Sequence, residues 1–161
     1  MSEIIAPDGC PRSAGPVLVL GLDGSSGADA AELWCRETAP RLGADVVAVH
    51  ALPPLVSYVP VPLDPAAPPY GARVHAEVQV ALDAWCTGLR SAGVCVRTMV
   101  VDDSPAEALM RVAAAEATPW IVVGRRGRGG FMGMVMGSVA HALSMHSPVP
   151  VVIVPARGAI S

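Results

Sequence analysis

Five short apolar runs recur along this chain, and each is separated from the next by a stretch of helical spacing or a loop rich in breakers. The runs are Pro16–Leu22, Asp45–His50, Val94–Val101, Trp120–Val123 and Pro148–Val154. Trp120-Ile-Val-Val123 reads as a strand buried on both faces, because near-continuous Val and Ile suit a parallel sheet covered on each side. Between the runs, residues 28–41 place Ala30, Ala31, Leu33 and Trp34 near one helical face, and Gly43 closes that helix. Residues 71–91 carry Val74, Val78, Ala81, Leu82, Trp85 and Leu89 at helical spacing. Pro105 opens a third helix bearing Ala108, Leu109, Val112 and Ala115, and residues 138–147 form a fourth. Strands that alternate with helices demand crossover connections. The expectation is therefore an α/β fold: a single doubly wound five-stranded parallel sheet with helices on both faces.

The remaining segments read as accessories. Residues 1–15 form an N-terminal tail, 16–155 the single domain and 156–161 a C-terminal tail. The 53–69 segment holds Pro53, Pro54, Pro60, Pro62, Pro65, Pro68 and Pro69, so it can be neither a helix nor a central strand. It reads as an extended surface insertion. In a sheet of this type ligands bind beyond the carboxyl ends of the strands, where the strand order reverses. The loops at that end are 23–27, 51–70, 102–104 and 124–137.

Composition narrows the chemistry. All eleven basic side chains are arginine, so the lysine that a Walker A loop places on phosphates is missing and a P-loop NTPase is excluded. A net charge of −3 is a poor footprint for nucleic acid. No apolar run is long enough to span a bilayer, and the first residues lack a basic leader region; a cytoplasmic location is expected. The four cysteines (10, 35, 86 and 95) show no C-x-x-C spacing and read as thiols of a reducing compartment.

The strongest motif is Gly124-Arg-Arg-Gly127, nine residues, then Gly137-Ser138. It joins a buried strand to a helix start. Glycine lets backbone approach an anion closely, and unpaired N–H groups at a helix N-terminus add positive potential. Taken alone, such a segment is either an anion cradle or a structural loop with a helix cap.

In this setting the segment resembles the G-x2-G-x9-G-(S/T) motif of the universal stress protein family, and the spacing matches without gaps. Val122–Phe131 before it, Pro148–Pro155 after it, Asp23-Gly-Ser-Ser at the end of the first strand and Val46–His50 in the second strand extend the resemblance over about residues 16–155. The resemblance implies an adenine nucleotide alpha hydrolase-like fold, an ATP site and a homodimer. Carried over by position, Asp23 would meet the ribose or adenine side, Ala51 would offer backbone to adenine, and Val123 and Gly124 would line the ribose. Gly127, Gly137, Ser138 and Val139 would hold phosphates through backbone N–H, with Ser138 adding its hydroxyl. Gly21, Leu22 and Arg128 complete the implied site.

One departure from the pattern is Asp102-Asp103 before Ser104-Pro105, where the family often has glycine. Two carboxylates facing the phosphates would repel them unless Mg2+ intervened; otherwise they are a capping pair. Arg125, Arg126 and Arg128 read as a solvated loop tip or as neutralisers of a triphosphate. His50 reads as a packed histidine, and His141 and His146 lack a second ligand cluster, so no metal site is expected. The methionines of Phe131–Met136 read as adaptable packing. The functional expectation is an ATP-binding stress or regulatory protein with at most slow hydrolysis. The alternatives are a dimer that acts through partner contacts without ATP, and a nucleotide-dependent enzyme. The latter lacks the ordered S-G-G-x-D-S or H-x-G-H motifs it would need. Strand five, with apolar residues 149–154, would be an exposed edge in a monomer and is the expected dimer contact.

Overall fold

The computed structural model describes residues 13–53, 70–117, 119–128 and 135–156. Ten elements alternate along them. Strands are β1 (Val17–Gly21), β2 (Asp45–Leu52), β3 (Val96–Asp102), β4 (Pro119–Gly124) and β5 (Val151–Val154). Helices are α1 (Ser26–Leu42), α2 (Tyr70–Trp85), α3 (Thr87–Ser91), α4 (Pro105–Ala114) and α5 (Ser138–His146). The strands form one sheet in the order β3-β2-β1-β4-β5, and every neighbouring pair is parallel. The chain therefore runs outward from β1 to β3, crosses back to β4 and runs outward again. The reversal lies between β1 and β4, where the loops after the two strands diverge to opposite sides and leave a crevice.

Strand alternation divides the core into two layers. Leu18 and Leu20 of β1, with Val122 of β4, pack against Ala28, Ala31 and Cys35 of α1, Leu82 of α2 and Leu89 of α3. On the opposite face Val17, Val19, Val47, Val49, Ile121 and Val123 meet Ala108, Leu109 and Val112 of α4 and Ala140 and Leu143 of α5. Both faces are covered, as the near-continuous apolar strands require.

Two boundaries and the state of one cysteine differ from the sequence expectation. The helix expected over 71–91 is two helices that part at Cys86, whose backbone (φ −86°, ψ 1°) leaves the helical region just before the weak helix formers Thr87 and Gly88. A Cβ on Gly88 would lie 2.7 Å from Glu32 Oε1 and 2.9 Å from Arg36 Nη1, so this turn is threaded close against α1. Strand β5 starts at Val151 rather than Pro148, since Pro148 and Pro150 have no N–H to give a ladder. Cys95 is disulfide-bonded, so the four cysteines are not all the thiols of a reducing compartment that their spacing led one to expect. Cys35 and Cys86 are buried thiols. Burial pushes both thiols up, Cys86 to about 12, which leaves them inert.

Gly43 ends α1 in the left-handed conformation (φ 59°), with its N–H on the Ala39 and Pro40 carbonyls, as its position predicted. No helix among the described residues is long and apolar enough to cross a membrane. The expected 53–69 insertion beyond Pro53, and the methionines at 132 and 134, fall outside the described residues.

Candidate functional site

A cavity of about 470 Å3 opens at the carboxyl end of the sheet over the β1–β4 reversal. That volume is in the usual range for a small-molecule site. All eleven residues expected from sequence border it: Gly21, Leu22, Asp23, Ala51, Val123, Gly124, Gly127, Arg128, Gly137, Ser138 and Val139. They come from β1 and the turn after it, β2, β4, the β4–α5 loop and α5, so only the fold brings them together.

Glycines build the cavity by allowing backbone to touch backbone. A Cβ on Gly124 would stand 2.8 Å from Gly27 Cα and closer still to the Gly27 carbonyl. A Cβ on Gly27 would in turn run into the Arg126 carbonyl. The first turn of α1 is thus pressed directly onto the end of β4 and the loop that follows. Gly21 is tight for a different reason: a Cβ there would meet Leu109 and Val123 at 3.1 Å, at the floor of the cavity.

The first turns of three helices border the opening: Ser25 and Ala28 of α1, Pro105 of α4, and Ser138, Val139 and Ala140 of α5. They differ in what they leave free. Ser25 caps α1, its Oγ accepting from Ala28 N at 3.2 Å. Helix α4, behind Ser104, has no side-chain cap bond, and neither has α5, whose N-cap Gly137 has no side chain; the first turn of α5 borders the cavity with no side-chain acceptor on its N–H groups among the described residues. Gly137 N–H itself donates to the Arg125 carbonyl (2.8 Å), which fixes where the helix begins. Helix dipole and free donors together make this end of α5 a seat for an anion.

Charge agrees with that reading. The charged residues bordering the cavity are Arg125, Arg126 and Arg128 against Asp23. Asp23 is not free: its Oδ1 accepts from Ser25 N (3.0 Å) and its Oδ2 from Arg128 N (3.0 Å). Partial burial pushes its pKa up, but hydrogen bonds from Ser25 and Arg128, with the Arg128 charge, outweigh it and hold the pKa below the usual 3.8.

The other carboxylates near the β3–α4 loop do not reach the cavity. Asp102 accepts from His75 Nε2 of α2 at 2.7 Å. Asp103 accepts from Ser104 N at 2.8 Å and pairs with Arg111 of α4 at 3.3 Å. Of the two readings of this pair, the one facing the phosphates is set aside by these partners. No group of three or more His, Cys, Asp or Glu side chains among the described residues is arranged to hold a metal.

On the β2 side, Val49 O accepts from Leu22 N (3.0 Å). Ala51 lies two residues on, so its N–H and C=O face the same way as those of Val49, but β1 has ended at Gly21 and offers no partner. Ala51 therefore presents a main-chain donor and acceptor at the cavity rim. His50 faces the other way. Its Nδ1 donates to the Leu22 carbonyl (2.7 Å) and its ring lies 5.8 Å from Trp85, so it acts as a packed strut between β1, β2 and α2.

The cavity also includes residues that sequence reasoning did not select: Ser25, Ala28, Val49, His50, Pro105, Leu109, Met136 and Ala140, besides Arg125 and Arg126. The two arginines carried a signal, their clustering with Arg128. Pro105 and Leu109 carried none, because their approach depends on where α4 packs.

Comparison with known proteins agrees with the fold and the motif. Residues 17–155 match the model of the universal stress protein family. Universal stress protein Rv2623 of Mycobacterium tuberculosis is 38% identical over 144 residues, a span that covers 89% of this chain and 46% of that protein. The chain thus spans about half the length of the curated relatives it matches. Among solved structures, UspA from Lactobacillus plantarum superposes with a TM-score of 0.70 at 20% identity, covering 90% of this chain and 99% of that one. A universal stress protein in complex with cAMP gives 0.62 at 21% identity, covering 89% and 99%. An Arabidopsis thaliana member with AMP bound gives 0.59 at 16% identity, covering 89% and 93%. At these identities the structures speak for the fold. The family model decides membership: the chain belongs to the universal stress protein family.

Proposed function

We propose that this member of the universal stress protein family binds ATP in the cavity at the β1–β4 reversal, as a sensor or store of the nucleotide. The observation that supports it most is the convergence of all the motif glycines and the uncapped first turn of α5 on one cavity lined by three arginines. Adenine would read the open backbone edge of Ala51, in the way main-chain groups read a base without side-chain help. Ribose would lie over Val123 and Gly124, and the phosphates would take the N–H groups of Gly127, Gly137, Ser138 and Val139. Relatives in the family are known with cAMP and with AMP bound, which supports an adenine nucleotide. The three arginines favour the more highly charged triphosphate over those smaller ligands.

Turnover would be slow at most. The cavity's carboxylate, Asp23, is held by two backbone donors, and the His50 ring is engaged with Leu22 and Trp85, so neither is placed as a general base. Mg2+ would enter with the phosphates and not through Asp102 or Asp103. Calorimetric titration of the chain with ATP, AMP and cAMP tests the reading, alongside mass spectrometry for nucleotide that co-purifies. Saturable binding with ATP tightest is expected; no heat with any of the three at millimolar nucleotide would sink it.

A second proposal rests on the other end of the sheet. Strand β5 is an edge strand, and Val151, Val152 and Ile153 are only half-buried. Antiparallel pairing of two β5 strands would cover both edges and give a two-fold homodimer. Light scattering should report twice the chain mass at micromolar protein, and a monomer mass would remove this reading.

A further inference from the structure

The first residues of the β4–α5 loop are held at two points by different means. At Arg125 the backbone is pinned on both sides: its N–H donates to Val154 O (2.7 Å) and its carbonyl accepts from Gly137 N (2.8 Å). Three residues on, at Arg128, the backbone hydrogen bond the structure gives is to the Asp23 carboxylate, 105 residues away in sequence. The same carboxylate accepts from Ser25 N, so one side chain ties the β1–α1 turn to the stretch just after Gly127 in the glycine loop. The fit is close. A Cβ on Gly127 would lie 2.6 Å from Asp23 Oδ2, and a Cβ on Gly24, whose φ is 74°, would lie 3.0 Å from the Arg128 guanidinium and 2.8 Å from the Trp85 ring. Gly127 is therefore bare so that the carboxylate can reach past it, and Gly24 is bare so that Arg128 can lie back over the turn.

From this geometry we infer that Asp23 is a positioning residue: it holds the Arg126–Arg128 stretch in place so that the loop presents backbone N–H and guanidinium groups to phosphate, and it does not itself read the base or the sugar. The inference rests on the proposed nucleotide site and departs from the role carried over by resemblance, which puts Asp23 on the ribose or adenine side. Electrostatics favours the latch. A bare carboxylate at the rim of a phosphate site would repel its ligand, whereas one bonded to two N–H groups has much of its charge met within the loop.

The two roles separate by ligand. ATP and adenosine share base and ribose and differ in phosphate. Titrations of the full chain with each, for wild type, Asp23→Ala, Asp23→Asn and Gly127→Ala, are read beside the hydrogen-exchange rate of the Arg128 amide without nucleotide. A positioning Asp23 predicts that Asp23→Ala weakens ATP about tenfold, the scale of one charge-assisted hydrogen bond, and leaves adenosine within about twofold. Gly127→Ala should repeat this pattern, since its methyl displaces the same carboxylate, and the double variant should lose little more than either alone. The Arg128 amide should exchange at least about tenfold faster in Asp23→Ala than in wild type. Equal losses for ATP and adenosine would overturn the inference in favour of direct contact, and an unchanged Arg128 exchange rate would overturn the latch itself. Wild type that binds no ATP would end the nucleotide proposal while the exchange measurement still decided the latch. Should Asp23→Ala fail to fold, Asp23→Asn and Gly127→Ala carry the same comparison.

Discussion

Two loops at the carboxyl end of the sheet carry clustered charge of opposite sign, and they use it in opposite ways. The β4–α5 loop brings Arg125, Arg126 and Arg128 to the cavity. The β3–α4 loop brings Asp102 and Asp103 to the same end of the sheet, yet both turn aside, one to His75 and the other to Ser104 and Arg111. From sequence the two loops look equally placed to meet a ligand. What separates them is the supply of partners. Helix α2 puts the His75 imidazole and α4 the Arg111 guanidinium beside the aspartates, whereas the arginine loop lies against the backbone of α1 and β5 and, among the described residues, meets the Asp23 carboxylate. An anion arriving at the cavity therefore meets cations and free N–H groups with little opposing charge.

The largest expected effect breaks the scaffold under the arginine loop. Gly124→Val puts a branched side chain where Gly27 backbone already stands, so α1 must shift away from β4. Urea unfolding should show a loss of about 2–3 kcal/mol, at the upper end of overpacking costs, and nucleotide binding should vanish with it. A stable, fully binding variant would mean that the glycine contact is incidental.

Neutralising the loop sharpens the contrast more gently. Arg125→Gln with Arg126→Gln should weaken ATP by about tenfold and AMP by clearly less, with a shallower dependence on salt. Equal losses for ATP and AMP would return these arginines to the role of a solvated loop tip.

Acid titration probes the carboxylate that joins the two sides. The folded pKa of Asp23 is held below its ordinary 3.8, so the carboxylate stabilises the native state at and above that value. The contribution is lost as pH falls through the lower, folded pKa. Asp83, held low by Thr98, Gln79 and Arg90, adds to the same acid limb. Asp23→Asn should therefore flatten only part of the stability loss below about pH 4, and an acid limb identical to wild type would show that the Asp23 hydrogen bonds add nothing to stability.

The smallest effects belong to the other loop. Asp102→Asn should leave ATP affinity within about twofold, because its pair with His75 is exposed and off the cavity. Asp103→Asn should cost about 0.5 kcal/mol of stability through the start of α4 and likewise spare affinity. A tenfold gain in ATP affinity from either variant would put its carboxylate back beside the phosphates.

Periodicity and breakers were enough to read most of the architecture. Near-continuous Val, Leu and Ile runs cannot be half-wet strands, and the prolines and glycines between them leave few places for a helix to begin or end. That logic failed at Cys86, where the helical pattern continues through Thr87 and Gly88 but the backbone breaks so that α3 can pack on α1. It also could not reach Pro105 or Leu109 as cavity residues, since nothing in their local pattern says that the first turns of α4 pack over Gly21.

By itself the sequence determined the parallel α/β class and the glycine spacing, because each depends on backbone sterics and on side-chain periodicity along a single segment, and the family resemblance named eleven of the residues that border the cavity. The tertiary structure alone decided which charges face that cavity. Whether Asp23 bonds to Arg128, or Asp102 to His75, depends on which chain segments folding brings within 3 Å, and residues 105 and 27 positions apart carry no local mark of that meeting.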